Sequence, residues 1–244
     1  MERDEREIGP AFQQATKYKR GLLPVHEPST TRMPFPFKLY PDAKTVALPK
    51  SETSGGTSLW EVIAKRRSHR EFRPRPLSLE EVGQLLWAGQ GITYKTQGFG
   101  FRAAPSAGAL YPTETYFLAT NIVSLPPGLY HYNMRKHEAE TLKEGTLGPE
   151  LAAAALDQEF VADAPLTIIW TAVVGRSTWK YLQRGYRYIY LDTAHVAENV
   201  MLAATALGLG SCGIGAIYDD EVNAILGVDG ETETALYLCA LGRI

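Results

Sequence analysis

The order of elements in the sequence predicts an α+β fold with a mostly antiparallel central sheet flanked by helices. Three observations carry that expectation. The periodicities run helix, helix, two strands, helix, strand, long helix, helix, strand, with no regular βαβ alternation. "APLTIIWTAVV", residues 164–174, is rich in β-branched residues, as a buried strand is. "YIYLDTAHVAENVMLAATALGLG" is apolar nearly all round, which predicts a long, central, buried helix over about 188–207 with Gly208 as its stop.

The remaining elements follow along the chain. Residues 1–57 hold seven of the fifteen prolines and read as an extended N-terminal arm, although the composition equally allows disorder. Within the arm, "FPFKLYPDAKTVALP" is too apolar for a linker and should lie along a surface, its own or a partner subunit's. Residues 58–244 form the domain. Ser58 and Glu61 make a capping-box pattern that opens a helix over 58–70, with Leu59, Val62 and Ile63 on one face. Ser78 and Glu81 repeat the pattern before Leu79, Val82, Leu85 and Leu86, and Gly89 or Gly91 ends that second helix. "TETYFLAT" and "GLYHYN" read as strands around a turn at Pro126-Pro127-Gly128. "GPELAAAALDQEF" and "DDEVNAILGV" read as short helices, and "TALYLCALGRI" as a final strand ending at Arg243.

Bulk properties narrow the function classes. The 244 residues are 45% hydrophobic, enough for one large domain or two small ones. A net charge of −2 gives no reason to expect a nucleic-acid or anionic-membrane partner. No run approaches 18 apolar residues, and "MERDEREIGP" is no signal peptide. Cys212 and Cys239 show no CxxC spacing, which suits a reduced, cytoplasmic chain. The histidines at 26, 69, 131, 137 and 195 form no ligand-spaced cluster, so no metal site is expected.

Four stretches can carry chemistry. In "AKRRSHREF", residues 64–72, the helical spacing puts Arg66, Arg67 and Arg70 on the apolar stripe. An inward guanidinium needs an anion, and Arg suits a phosphate or carboxylate; the plain alternative is that the helix ends early and the arginines face water. Ser68 adds a hydroxyl donor. In "RAAPSAGALYPTETY", Pro105, Ser106, Ala107, Gly108 and Ala109 are small or rigid and let backbone approach a flat ligand, or form an ordinary surface loop. "GLGSCGIG", residues 208–215, fits G-x-G-x-x-G literally, but a helix precedes it and no helix follows until about Asp219. It is therefore no dinucleotide fingerprint, but a helix stop followed by a glycine-lined backbone surface. "WKYLQRGYRYIY" sets Lys180, Arg184 and Arg187 among five aromatics. Lys180-Tyr181 can act as acid/base machinery if desolvated, or the stretch is a surface turn into the long helix. Asp192 and His195, three apart, can simply pair on that helix.

Taken together, these segments resemble the nitroreductase superfamily of FMN flavoproteins. The nearer likeness is to its SagB-type dehydrogenase branch, which includes the azoline oxidases of thiazole and oxazole peptide synthesis. The pattern runs through "RRSHREF", "PSAGALYPTETY", "GLYHYN", "KYLQRGYRYIYLDTAHVAENVMLAATALGLG" and the closing "ALGR", and extends to "FQQATKY" and "FKLYP" in the arm. The resemblance implies a nitroreductase-like fold and a homodimer with FMN at the interface. It implies that Arg66, Ser68 and Arg70, helped by Arg67, hold the flavin's phosphate and ribityl chain, with Arg243 completing the phosphate site. Pro105, Ser106 and Ala107 would reach the flavin of the other subunit, and Gly213, Ile214 and Gly215 would lie against its ring. Lys180 and Tyr181 match the Lys-Tyr pair linked to azoline oxidation. Typical nitroreductases carry Asn four residues after the loop proline; Ala109 stands there in this chain. That departure puts nitroarene or quinone reduction in doubt as the native role. The expected activity is hydride transfer through flavin N5, on a small-molecule or peptide substrate such as an azoline. The alternatives are an NAD(P)H-dependent nitro- or quinone reductase and a non-catalytic flavin-binding subunit of a synthetase complex.

Overall fold

The computed structural model describes residues 5–21, 33–96 and 99–244; residues 1–4 and 22–32 of the arm, His26 included, lie outside the described residues. Seven strands form one sheet: β1 (Thr45–Ala47), β4 (Thr113–Ala119), β5 (Gly128–Asn133), β6 (Glu138–Glu144), β7 (Leu166–Val173), β8 (Leu209–Ile214) and β9 (Glu233–Arg243). Their order is β1-β6-β5-β4-β7-β9-β8. Every neighbouring pair is antiparallel, as expected of the fold class. Strands β2 (Ile92–Thr96) and β3 (Phe99–Arg102) make a separate hairpin.

The two central strands are buried on both faces, so they read as continuous apolar runs. Their alternate residues feed two cores. Phe117, Ile168 and Trp170 pack with Leu85 and Leu86 of α3 (Leu79–Gln90) and Val196 and Val200 of α7 (Gly185–Ala206). Tyr116, Leu118 and Ile169 pack on the other face with Leu151 of α4 (Gly148–Ala154) and Val222 and Leu226 of α8 (Asp219–Leu226). The remaining helices are α1 (Glu5–Ala15), α2 (Leu59–Lys65), α5 (Phe160–Asp163) and α6 (Val174–Tyr181). The long helix α7 buries Ile189, Asp192, Val196, Ala197 and Val200 along one side, while Tyr190 and Leu191 stay open on the other.

Two expectations change. The helix opened by Ser58 stops at Lys65, short of residue 70, and of its expected apolar stripe only Val62 is buried. The arm is not extended throughout, because α1 lies within it. Its apolar stretch does lie along the body. Arg102 Nη2 donates to the Pro36 carbonyl at 2.8 Å and Arg176 Nε to the Phe35 carbonyl at 2.9 Å. Strand β1 adds to the sheet edge beside β6.

A set of charged side chains lies inside the sheet. Arg176 Nη1 meets Glu114 Oε1 at 2.6 Å, and His131 sits between Glu114 Oε2 (3.1 Å) and Glu140 Oε2 (2.8 Å). Lys38 of the arm reaches Glu233 Oε2 at 2.6 Å and Tyr116 Oη at 2.7 Å. Burial alone would raise the Glu114 carboxyl, but Arg176, then His131 and Arg102, hold it at about 2. Burial would likewise lower His131; its two carboxylate partners override this and raise it. No helix among the described residues is long and apolar enough to cross a membrane. No group of three or more His, Cys, Asp or Glu among them is placed to hold a metal ion.

Candidate functional site

The arginine stretch is built by a helix end. Arg67 Nη1 donates to the carbonyls of Ala64 (3.1 Å) and Arg66 (2.7 Å), satisfying orphan acceptors at the close of α2. Beyond it the chain runs alongside β8 and β9. Ser68 bridges Ser211 in parallel, His69 N donates to Ser211 O at 2.9 Å, and Arg73 N donates to Arg243 O at 2.9 Å. The arginines therefore do not sit on the inner stripe of a helix; they project from a backbone fixed to the sheet edge. Arg66 is half-buried, and Arg67, Ser68 and Arg70 are exposed. Among the described residues, Arg66 and Arg70 donate no side-chain hydrogen bond and make no ion pair. Arg66 acts through its field on Tyr237, and Arg70 on the Cys212 thiol, which burial pushes up.

The adjoining backbone has the openness that "GLGSCGIG" suggests. Gly208, at φ 70°, ends α7, and residues 209–214 form β8. A Cβ on Gly213 would collide with the Tyr237 hydroxyl, so a larger residue there would have to displace that ring. Gly215 is exposed, with only the Tyr237 ring near a would-be Cβ, at 3.8 Å. The Ile214 side chain is buried in the second core, so Ile214 can offer a ligand only its backbone. Ser211 Oγ is buried with no hydrogen-bond partner among the described residues. Arg243 is engaged elsewhere: its Nη1 and Nη2 each lie 2.8 Å from a Glu81 oxygen, and Glu81 also closes the capping box of α3.

A second cluster forms around the Pro105 loop. Ser106 Oγ donates to Asp192 Oδ2 at 2.5 Å and accepts from Tyr111 N at 2.9 Å. Ala107 N donates to both Asp192 oxygens, at 3.1 and 3.2 Å. Asp192 thus ties the loop to α7, and its neighbour His195 reaches it only through its field. Burial pushes the Asp192 carboxyl up, against the pull of those donors. Gly108, Ala109 and Tyr111 all have left-handed φ, of 63°, 54° and 48°. Ala109 and Tyr111 carry backbone strain there, and the bonds of Ser106 and Ala107 to Asp192 hold the loop in place. Pro105 is exposed at the head of this loop. Over it, a Cβ on Gly108 would lie 2.6 Å from the Tyr181 hydroxyl and 3.0 Å from Lys180 Nζ. The structure therefore brings Lys180 and Tyr181 to the loop.

The two clusters share no hydrogen bond or ion pair among the described residues. A cavity of about 480 Å³ lies along α7, lined by Thr193, Ala197, Glu198, Met201 and Tyr237 among others. Thr193 follows Asp192 and bonds Thr113 at 2.9 Å, while Tyr237 stands against Gly213. The sequence points to Asp192 only as a partner of His195, and it singles out neither Tyr237 nor Ser211.

By fold and site this is an α+β protein with an open, cationic sheet edge and an anchored glycine loop. The chain belongs to the nitroreductase family, whose model matches residues 63–243, and that family sets its class as an oxidoreductase. It is 40% identical over 202 residues to MJ1384 of Methanocaldococcus jannaschii, provisionally named a nitroreductase, covering 83% of this chain and 98% of that one. It is 26% identical over 193 residues to the trifolitoxin operon protein TfxC of Rhizobium leguminosarum bv. trifolii, covering 74% of this chain but 54% of TfxC. Solved structures with the same fold include the E. coli microcin synthetase McbBCD complex with truncated pro-MccB17 bound (TM-score 0.62, 20% identity, 96% of this chain and 86% of that one). Another is the Vibrio harveyi NADPH:FMN oxidoreductase complexed with NAD+ (TM-score 0.55, 20% identity, 76% and 68%). The resemblance to the SagB-type branch stands with these relatives.

Proposed function

We propose that this chain is an FMN-dependent oxidoreductase of the SagB-type dehydrogenase kind, acting as a homodimer. The observation that carries the reading is that half-buried Arg66 and neighbouring Arg70, on a backbone bridged to β8, find no side-chain partner among the described residues. A partly desolvated guanidinium without a partner is costly until an anion arrives, and a phosphate matches its fork of donors. Arg66, Ser68 and Arg70 would hold the FMN phosphate and ribityl chain. Gly213, the Ile214 backbone and Gly215 would lie along the ring. The Pro105–Ala107 loop would meet the flavin of the other subunit, with Ser106 fixing the loop through Asp192. Arg243 would contribute to the phosphate field while remaining paired with Glu81. Bound FMN supplies hydride exchange at its N5. Lys180 Nζ and the Tyr181 hydroxyl, held at Gly108, would take the proton from the atom next to the oxidised carbon. Exposed Leu59, Trp60, Ile63, Tyr190 and Leu191 give a second copy apolar surface to cover.

The visible spectrum of the purified protein tests this. A yellow protein that releases FMN at about one per chain supports the reading. A colourless protein that fails to bind added FMN ends it. The name of MJ1384 favours a second reading, an NAD(P)H-dependent nitro- or quinone reductase. Steady NAD(P)H oxidation driven by a quinone would select that reading over the first.

A further inference from the structure

Arg184 and Arg187 follow Lys180 and Tyr181 in the chain, yet neither turns to the Pro105 loop. Both turn to the N-terminal helix. Arg187 donates from Nη2 to the Gln13 carbonyl and from Nε to Thr16 Oγ1, each at 2.7 Å. Arg184 Nη1 donates to the Thr16 carbonyl at 2.7 Å. These acceptors lie at the C-terminal, partially negative end of α1, where a cation is favoured. The guanidiniums also lie over rings of the same segment, Arg184 4.3 Å from the Tyr18 centroid and Arg187 5.7 Å from that of Phe12.

Among the described residues, helix α1 has little else to hold it. It spans 11 residues and contains Gly9 and Pro10 in mid-helix. That is below the length at which an isolated helix persists, and Pro10 removes a backbone bond. Residues 7–11 and 13–15 are exposed; only Thr16 is buried and Phe12 half-buried. The order of α1 therefore depends on the two arginines.

The latch continues into the candidate site. Arg184 Nε donates to Tyr188 Oη at 2.9 Å. The Tyr188 ring meets Tyr181 edge-on at 4.7 Å. Burial and a hydrogen bond with Tyr188 act on the Tyr18 phenol, and the field of Tyr181 reaches it as well. Contacts thus run without a gap from Thr16 through Arg184, Tyr188 and Tyr181 to Gly108.

We propose that residues 5–21, latched by Arg184 and Arg187 and joined through Tyr188 to Tyr181, form an outer wall beside Lys180 and Tyr181 that excludes bulky substrates. This rests on the flavoenzyme reading. Arg184 and Arg187 are positioning residues; neither touches the reacting atoms.

The test compares the wild-type protein with Arg184→Gln/Arg187→Gln and, from the arm side, Tyr18→Ala. Trypsin cutting at Lys17, Lys19 and Arg20 reads the latch without any activity. Cleavage should accelerate at least tenfold in both variants; unchanged cleavage overturns the latch. The dithionite-reduced flavoprotein is then reoxidised by 1,4-benzoquinone or by the larger 2,6-dichlorophenolindophenol, each taking two electrons and two protons. With flavin content unchanged, the rate ratio of large to small acceptor should rise at least fivefold. Faster cleavage with an unchanged ratio overturns the wall. Loss of the flavoenzyme reading shows separately, as a colourless wild-type protein, and the cleavage comparison still decides the latch.

Discussion

Two groups of arginines in this molecule have opposite surroundings. Arg176 lies inside, 3% exposed, bonded to Glu114 and to the carbonyls of Phe35 and Tyr111. Arg66 and Arg70 lie at the sheet edge with no acceptor from the described residues. The first is a closed account of charge, fixed by the fold and informative about it. The second is open, and what completes it comes from outside the chain. The difference teaches that a charged residue points to a ligand through the partners it lacks.

Breaking the closed set should have the largest effect. Arg176→Met strands Glu114 beneath the sheet and should cost about 3–5 kcal/mol of stability, read from urea denaturation. A loss below about 1 kcal/mol would show that Glu114 finds relief elsewhere.

The same set predicts a stability optimum in pH. The Glu114 carboxyl is held at about 2 against an ordinary 4.5. Its contribution is present above 4.5 and fades as the pH falls towards 2, a loss of about 3 kcal/mol. His131 is raised above 6.5, so its contribution is complete below 6.5 and fades as the pH climbs through the raised value. Stability should therefore decline on both sides of the interval from 4.5 to 6.5. Arg176→Met, which removes the largest of the pulls on Glu114, should flatten the acid limb; a wild-type profile flat from pH 3 to 8 would contradict the account.

Opening the second region further sharpens the contrast. Arg66→Ala and Arg70→Ala each remove a charged donor worth about 1.5–3 kcal/mol to an anion, or roughly tenfold to a hundredfold in FMN affinity. Unfolding free energy should move by no more than about 0.5 kcal/mol. Flavin fluorescence titration decides, and intact binding in the double variant would sink the phosphate site.

The smallest effect belongs to Ala109. Its φ of 54° is left-handed, where Asn is at ease and Ala is strained. Ala109→Asn should raise stability by about 0.5–1 kcal/mol, visible as a higher Tm. A fall would mean that the loop has no room for the amide.

Much of this architecture was legible because local chemistry and tertiary burial agree. Ser78 and Glu81 cap α3 reciprocally, and the runs at β4 and β7 are buried on both faces. Strand β6 was not legible: "EAETLKE" has helix-favouring composition and is a strand because β5 and β1 flank it. Helix α2 was read too long because its stop is a side chain, Arg67, reaching back to carbonyls, which spacing does not record. That error put the arginines on a helical face, yet their type and clustering still pointed to an anion. Asp192 was read as free to pair with His195 on the same helix. Its partners, Ser106 and Ala107, stand more than 80 residues away in sequence, beyond the reach of any local pattern.

One residue gives the junction between α6 and α7 its shape. Leu182 sits at φ 48°, ψ −137°, a conformation foreign to a branched-chain residue. Without that break the helical rise would carry Lys180 and Tyr181 onward into α7 as ordinary surface positions. With it, they become the end of a helix that stops over Gly108. Glycine at 182 would relax the backbone and at the same time unfreeze the corner. Thermostability and fidelity of the pair's placement are thus traded against each other at a single residue.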